Sequence, residues 1–403
     1  MRNEGEADHW LRPEEADEEQ KAGFPELFFD LVFVFAMIQL SHTLAGHFNV
    51  SGLLEAGIVA LALWWVWIHT AWVTNWLDTN RMPVRIMLFV MMFAALLMAS
   101  AIPEAFEHKG LLFAVAYVTM QVGRSLFAVY AFRDVLPNVR DTFKRIACWF
   151  ALSGIFWIAG ALAEHEARLV CWAIALALEY IAPELAFFVP GLGRASPKDW
   201  NVSGTHMAER CGLFMMICLG ETILSTGRNF SELPFTTLPV VIFSGAFAST
   251  VAMWWIYFHF GHERAAHEIE TSAKPGEVAL HVFTYAHLPV MAGIVMSAVA
   301  EEFMLSEPLE QGNIQHALAI IGGPFVFLGG NLWVKSAITR SIPWSHVGGL
   351  IALLGLGLFV PYVQTYVLGT AALIALASVA AIEYLLIEKG SRDGEEIGEQ
   401  TGE

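Results

Sequence analysis

Apolar residues run in blocks long enough to cross a lipid bilayer, and the blocks recur from residue 26 to residue 388. A hydrocarbon core about 30 Å thick takes about 20 residues of α-helix. That ruler marks off twelve segments, near 26–46, 53–77, 83–102, 111–132, 142–163, 168–189, 207–227, 235–260, 278–300, 314–338, 344–363 and 366–388. Pro, Gly or charge bounds most of them, as from Asp78 to Pro83, from Pro190 to Pro197 and at Pro234. Residues 344–388 also read as one tight hairpin, with Pro361 and Gln364 near its turn. The pattern predicts an all-α integral membrane protein of about twelve transmembrane helices.

Lys and Arg orient the helices, because cytoplasmic loops are enriched in both. With the N-terminus inside, seventeen of the 22 fall on cytoplasmic segments, Lys335 and Arg340 among them, and only Lys109, Arg168 and Arg228 fall opposite. Arg124 and Arg210 lie within helices. Both termini are therefore expected in the cytoplasm. Trp64-Trp65-Val66-Trp67-Ile68-His69 in segment 2 is echoed by Trp254-Trp255-Ile256-Tyr257-Phe258-His259 in segment 8. The ends of segments 3 and 9 also match, at Ser100-Ala101-Ile102-Pro103-Glu104 and Ser297-Ala298-Val299-Ala300-Glu301. Two six-helix halves, 24–200 and 201–388, are expected, forming a parallel repeat about an axis along the membrane normal.

Composition agrees. Of 403 residues 56% are hydrophobic and 15% charged, against about 45–50% and about 25% in soluble domains. Much of the net charge of −17 sits at the ends, residues 1–23 and 389–403. Neither end has enough apolar surface to offset the entropy of ordering, so both are expected to be disordered. The first 25 residues are acidic and lack an apolar core, so the first segment is expected to be a retained helix, not a signal peptide. No basic face exists for nucleic acid. Cys148, Cys171, Cys211 and Cys218 lie inside apolar runs without metal-type spacing and read as small buried hydrophobes.

Two motifs carry a family resemblance. Pro25-Glu26-Leu27-Phe28-Phe29-Asp30-Leu31-Val32-Phe33-Val34 through Gln39-Leu40-Ser41-His42 resembles the opening signature of the bacterial low temperature requirement A (LtrA) family. Glu209-Arg210-Cys211-Gly212-Leu213-Phe214 through Leu219-Gly220-Glu221-Thr222-Ile223 resembles its second signature, with Cys211 where an aromatic is expected. The likeness covers roughly residues 24–388. It implies a multi-pass protein of the bacterial inner membrane linked to growth at low temperature, and it brings no settled biochemical activity.

An ionisable group within a membrane segment is expensive and so marks a candidate site. One layer lies toward the cytoplasmic face: Glu26 and Asp30 one helical turn apart, His69, and their counterparts Glu209, Arg210 and His259. A carboxylate beside an imidazole there can pass protons or hold a cation. A purely structural account also fits, with the glutamates at helix N-termini and the histidines in an interfacial aromatic belt. A deeper layer holds Arg124, Glu179, Glu221 and His287. Arg124 should pair with Glu179 or Glu221, either as a structural bridge or as part of a solute or proton path in which Glu221 changes protonation. Gly322-Gly323-Pro324, Gly329-Gly330-Asn331 and Pro183 beside Glu184 mark helix breaks or close packing.

His259, His262, Glu263 and His267 suggest a metal site, but Gly261 loosens that helix and no second histidine box appears. No P-loop or nucleophile elbow is present. The expected function is transport or sensing of a small solute or ion, with the lipid bilayer as partner and no cofactor or metal. A membrane-embedded stress or scaffold protein without transport, or a lipid-acting membrane metalloenzyme, is the alternative.

Overall fold

The structure, a computed structural model, describes residues 10–12, 22–196, 203–259 and 278–401, with backbone alone for 387–401. In chain order the helices are α1 Phe24–Gly46, α2 Val50–Trp76, α3 Met82–Ala101, α4 Gly110–Ala131, α5 Pro137–Leu162, α6 His165–Ile181, α7 Gly204–Ser231 and α8 Thr237–Phe258. They continue as α9 Leu280–Ser306, α10 Ile314–Thr339 and α11 Trp344–Tyr362, then α12 Thr365–Thr401. Among the described residues β-structure is confined to isolated bridges.

Ten of these helices are long and apolar enough to cross a membrane. The two that fall short have identifiable reasons. α6 was expected over 168–189 but stops at Ile181, because Pro183 has no N–H to donate back to the Glu179 carbonyl. Its 17 residues rise about 25 Å. α7 has the length but carries His206, Glu209, Arg210, Glu221 and Arg228.

The chain divides into two compact units, Met1–Ile217 with Ala265–Thr284, and Cys218–Arg264 with Tyr285–Glu403. In the first, α4 packs against α3 and α5, α5 against α6, and α1 against α2 and α3. Its interior holds fully buried tryptophans, Trp64, Trp65, Trp67, Trp157 and Trp172, while Phe89, Phe93, Leu96 and Ile155 face outward. A water-soluble surface rarely carries so continuous an apolar face, whereas lipid is its natural solvent. The aromatic-belt account does not hold for Trp64, Trp65 and Trp67 beside His69, since none of these three reaches the surface. Arg168, expected in a loop, is buried and donates to the carbonyls of Ala105, Glu107, Gly160, Ala161 and Ala163. It ties the C-terminus of α5, whose last carbonyls lack regular helical donors, to the α3–α4 connection.

In the second unit α9 packs closely on α10, and α12 lies against α8 and α11. The α9–α10 contact requires glycine: a Cβ on Gly293 would stand 2.3 Å from the Phe327 nitrogen, and one on Gly330 2.7 Å from the Val290 nitrogen. α10 is interrupted at Ile321, between Ile314–Ile320 and Gly322–Thr339, and Pro324 leaves the Ile320 carbonyl without its helical donor. α9 opens with a π-helical stretch, Leu280–Ala286. Pro289, three residues on, has no N–H to complete regular α pairing.

Several expectations are corrected. Lys335 is not a loop residue; it is 3% exposed within α10 and ion-paired to Glu383 of α12, Nζ to Oε2 2.6 Å. Setting it and Arg168 aside leaves the direction of the basic-residue asymmetry unchanged. Trp10–Arg12, expected to be disordered, run antiparallel to the end of α2, with Arg12 N donating to Trp76 O (3.0 Å) and Asp78 N to Trp10 O (2.9 Å). α12 continues to Thr401 through the tail expected to be disordered, whose glutamates are good helix formers. Cys211 and Cys218 are buried, but Cys148 is exposed on α5.

Candidate functional site

The densest buried charge in the first unit gathers where α1 faces the start of α7. Pro25 at the first turn and Gly23 at the N-cap start α1, and the Glu26 carboxylate accepts from the Gly23 N–H at 2.7 Å. This is half of a capping box, and it fixes the side chain against the helix end. Asp30, one turn on, projects from the same buried face. Both are fully buried.

Four groups close around this pair. Arg12, held by its Nε on the Thr74 carbonyl at 2.9 Å, donates Nη2 to Glu26 Oε2 at 2.8 Å. His206 Nε2 lies 3.0 Å from Glu26 Oε1. The same nitrogen lies 2.9 Å from Arg12 Nη2, so it faces a donor and an acceptor at once. Asn75 Oδ1 accepts from the Ser203 N–H at 3.1 Å, and Asn75 Nδ2 lies 3.2 Å from His206 Nδ1. Arg210 donates Nη2 to Asp30 Oδ1 at 2.8 Å, and its Nη1 stands 3.6 Å from Glu26 Oε1. Trp67 donates its indole N–H to the same Asp30 oxygen at 2.8 Å, and its ring lies under the Arg210 guanidinium at 5.7 Å.

This cluster is incompletely satisfied. Asp30 Oδ2 and Arg210 Nε and Nη1 are buried without a hydrogen-bond partner. A buried polar group left in that state costs about 1–3 kcal/mol, more when charged, so the arrangement has acceptor and donor capacity to spare for a further species.

The expected deep layer behaves differently. Arg124 of α4 donates to the Val66 carbonyl (3.0 Å) and to Thr70 Oγ1 (3.1 Å) of α2, and to Gln121 Oε1. Gln121 Nε2 donates to the Tyr117 hydroxyl at 3.0 Å, and Tyr117 donates to Glu179. Ser153 (2.6 Å) and Trp157 (3.0 Å) complete the Glu179 carboxylate. Of the two partners expected for Arg124, Glu179 or Glu221, Glu179 is reached only through Gln121 and Tyr117, which stand between them. Every donor points from the cation toward the anion, and each bond polarises the next. A saturated network of this kind braces α2, α4, α5 and α6.

His69 does not join a carboxylate. It packs edge-on against Trp65 at 4.8 Å and Phe150 at 5.1 Å. The imidazole beside the first-layer carboxylate is His206, which the sequence reading missed because it precedes the apolar run of α7. Arg12 was missed as part of an acidic tail. Glu209 lies apart from the cluster and accepts from the Ala22 N–H at 2.7 Å.

In the second unit Glu221 of α7 is 1% exposed. Beside it Thr222 meets Thr250 of α8 at 2.9 Å, and Thr226 donates to Glu301 of α9. His287 Nε2 contacts the Tyr257 hydroxyl at 3.0 Å. His259 stacks on Trp255 at 4.9 Å. The remaining members of the expected metal cluster, His262, Glu263 and His267, lie outside the described residues. Among the described residues Glu307, Glu310 and His316 lie near enough together for a shared ion, two of them exposed.

Comparison with known proteins agrees with the two signature motifs, which contribute Glu26, Asp30 and Arg210. A protein of Rhizobium meliloti (strain 1021), described as uncharacterized, is 48% identical over 382 residues, covering 94% of this chain and 93% of that protein. No solved structure matches significantly. Residues 21–381 match the family described as "Bacterial low temperature requirement A protein (LtrA)", so the chain, a bundle of membrane-length apolar helices, belongs to the LtrA family.

Proposed function

We propose that the protein moves a small solute or ion across the bacterial inner membrane, and that the Glu26–Asp30–Arg210–His206 cluster is where the moving species is held. One observation carries this reading: the Asp30–Arg210 pair is fully buried yet keeps unpartnered atoms of both signs, while the Arg124–Glu179 network nearby in the same unit is saturated. A structural ion pair is expected to be satisfied. A transport site has to release some of its interactions when its ligand enters and leaves. Glu221 and His287 are the candidate solute- or ion-binding residues of the second unit, and Glu179 and Arg124 brace the first.

The finer architecture is part of this proposal: twelve spans including α6 and α7, two parallel six-helix halves, and both termini in the cytoplasm. The helical architecture supports an inner-membrane location, because outer-membrane proteins of bacteria are typically barrels. The family's link to low-temperature growth suits a role in solute or ion balance.

The test is flux into proteoliposomes containing the purified chain, surveyed over protons, alkali cations and small osmolytes. Asp30→Asn is expected to lower the flux that wild type supports by about tenfold or more, equivalent to about 1.4 kcal/mol of lost interaction, while circular dichroism and gel filtration stay unchanged. A folded wild-type protein that supports none of these fluxes, or an Asp30→Asn protein that supports them undiminished, would end the proposal.

A further inference from the structure

The second unit contains a cavity of about 40 Å³ between α8, α9, α10 and α12. One buried water needs about 10–15 Å³, so an ion and a water or two fit. Glu301 is the carboxylate among its lining residues. It is 2% exposed; one oxygen accepts from Thr226, and the other, Oε1, is buried with no hydrogen-bond partner.

The hydroxyls around the cavity fix the sign of what it holds. Ser297 donates its proton to the Gly293 carbonyl at 2.8 Å, and Thr370 donates to the Tyr366 carbonyl at 2.8 Å. With their hydrogens committed, both retain only acceptor capacity. Ser249 of α8 lines the same space. The cavity thus offers a carboxylate and hydroxyl oxygens, the ligands of a hard cation. Calcium takes six to eight oxygens, and magnesium demands octahedral geometry and keeps several waters, more than this lining and volume supply.

Access has the same sign. The cavity lies toward the end of the unit where α8, α10 and α12 begin and α9 ends. Glu302, Glu307 and Glu310 are at that end, with Arg228 in the last turn of α7, and neither α8, α9 nor the segment joining α9 to α10 contains Lys or Arg, so the balance there is acidic. Clustered charge of one sign raises the local concentration of the opposite ion. We infer that the Glu301 cavity is a binding site for a small monovalent cation of the sodium class, coordinated by Glu301 Oε1 with the Ser249, Ser297 and Thr370 hydroxyls.

The test uses the purified full chain in detergent and needs no transport, so its result is independent of the Asp30 flux experiment. Thermal unfolding is followed at equal ionic strength in sodium, lithium, potassium or choline chloride, with sodium-23 NMR line width as a direct readout. Sodium or lithium is expected to raise Tm over choline and to broaden the sodium signal. Glu301→Gln is expected to weaken apparent sodium affinity by about tenfold or more, and Glu104→Gln, at a surface carboxylate of the first unit paired with Lys109, to leave it unchanged. Should Glu301→Gln fail to fold, Ser297→Ala and Ser249→Ala are expected to lower the affinity several-fold. Identical melting of wild type in all four salts would overturn the inference. So would stabilisation by acid alone, which would put a proton on Glu301, or an undiminished sodium response in Glu301→Gln.

Discussion

Asp30 and Arg210 are held to each other by a short charge-assisted bond at 2.8 Å, inside a protein whose outer solvent is hydrocarbon. Removing one partner of a buried pair strands the other, at about 3–5 kcal/mol, whereas replacing both with apolar groups is often close to neutral. Arg210→Met alone is therefore expected to lower thermal stability in detergent strongly. Combined with Asp30→Asn it should destabilise far less than the sum of the single changes, as the coupling in a double-mutant cycle. Additive effects would show that the pair is not energetically coupled. Glu26, Asp30 and Arg210 were legible from sequence because charge interrupting an apolar run is visible without coordinates. Their companions were not. Arg12 lies in an acidic stretch, and His206 three residues into a helix whose apolar pattern has not yet begun. Only three-dimensional proximity across 180 residues links His206 to Glu26.

At the scale of elements, membrane length alone located the helices, since a bilayer imposes one ruler on all of them. The errors fell where side-chain chemistry overrides hydropathy. Pro183 cut α6 short, and Lys335 reads as a loop residue until Glu383 is found beside it. The glycines of α10 were ambiguous in sequence between break and close packing, and the structure contains both: an interruption at Ile321 and a tight contact at Gly330. Neighbouring glycines separate these roles. Gly330→Ala would place a Cβ 2.7 Å from the Val290 backbone nitrogen and is expected to cost about 1–3 kcal/mol by overpacking. Gly329→Ala meets nothing within 4 Å and should be neutral or stabilising by up to about 1 kcal/mol. Thermal unfolding of both variants checks this, and equal losses would contradict the α9–α10 packing.

For the whole molecule, the outward apolar faces and buried charges describe a protein turned inside out relative to a soluble one. The Lys and Arg asymmetry then predicts orientation. A fluorescent protein fused after Glu403 is expected to light up in cells, and alkaline phosphatase fused at Lys109 to be active. The reverse pattern would invert the assigned topology. The two halves expected from repeated motifs meet at residue 200. A separate boundary, between compact units and within α7 after Ile217, reflects packing, which repeated motifs do not encode.

That placement of α7 bears on how the polypeptide is made. Asp30 leaves the ribosome with the first helix, and its counter-ion arrives only when residue 210 has been translated. During that interval the carboxylate has the Trp67 indole N–H but no counter-ion in lipid. A nascent chain released early, anywhere before Arg210, retains that defect for good. Such fragments are then substrates for membrane quality control, not working halves.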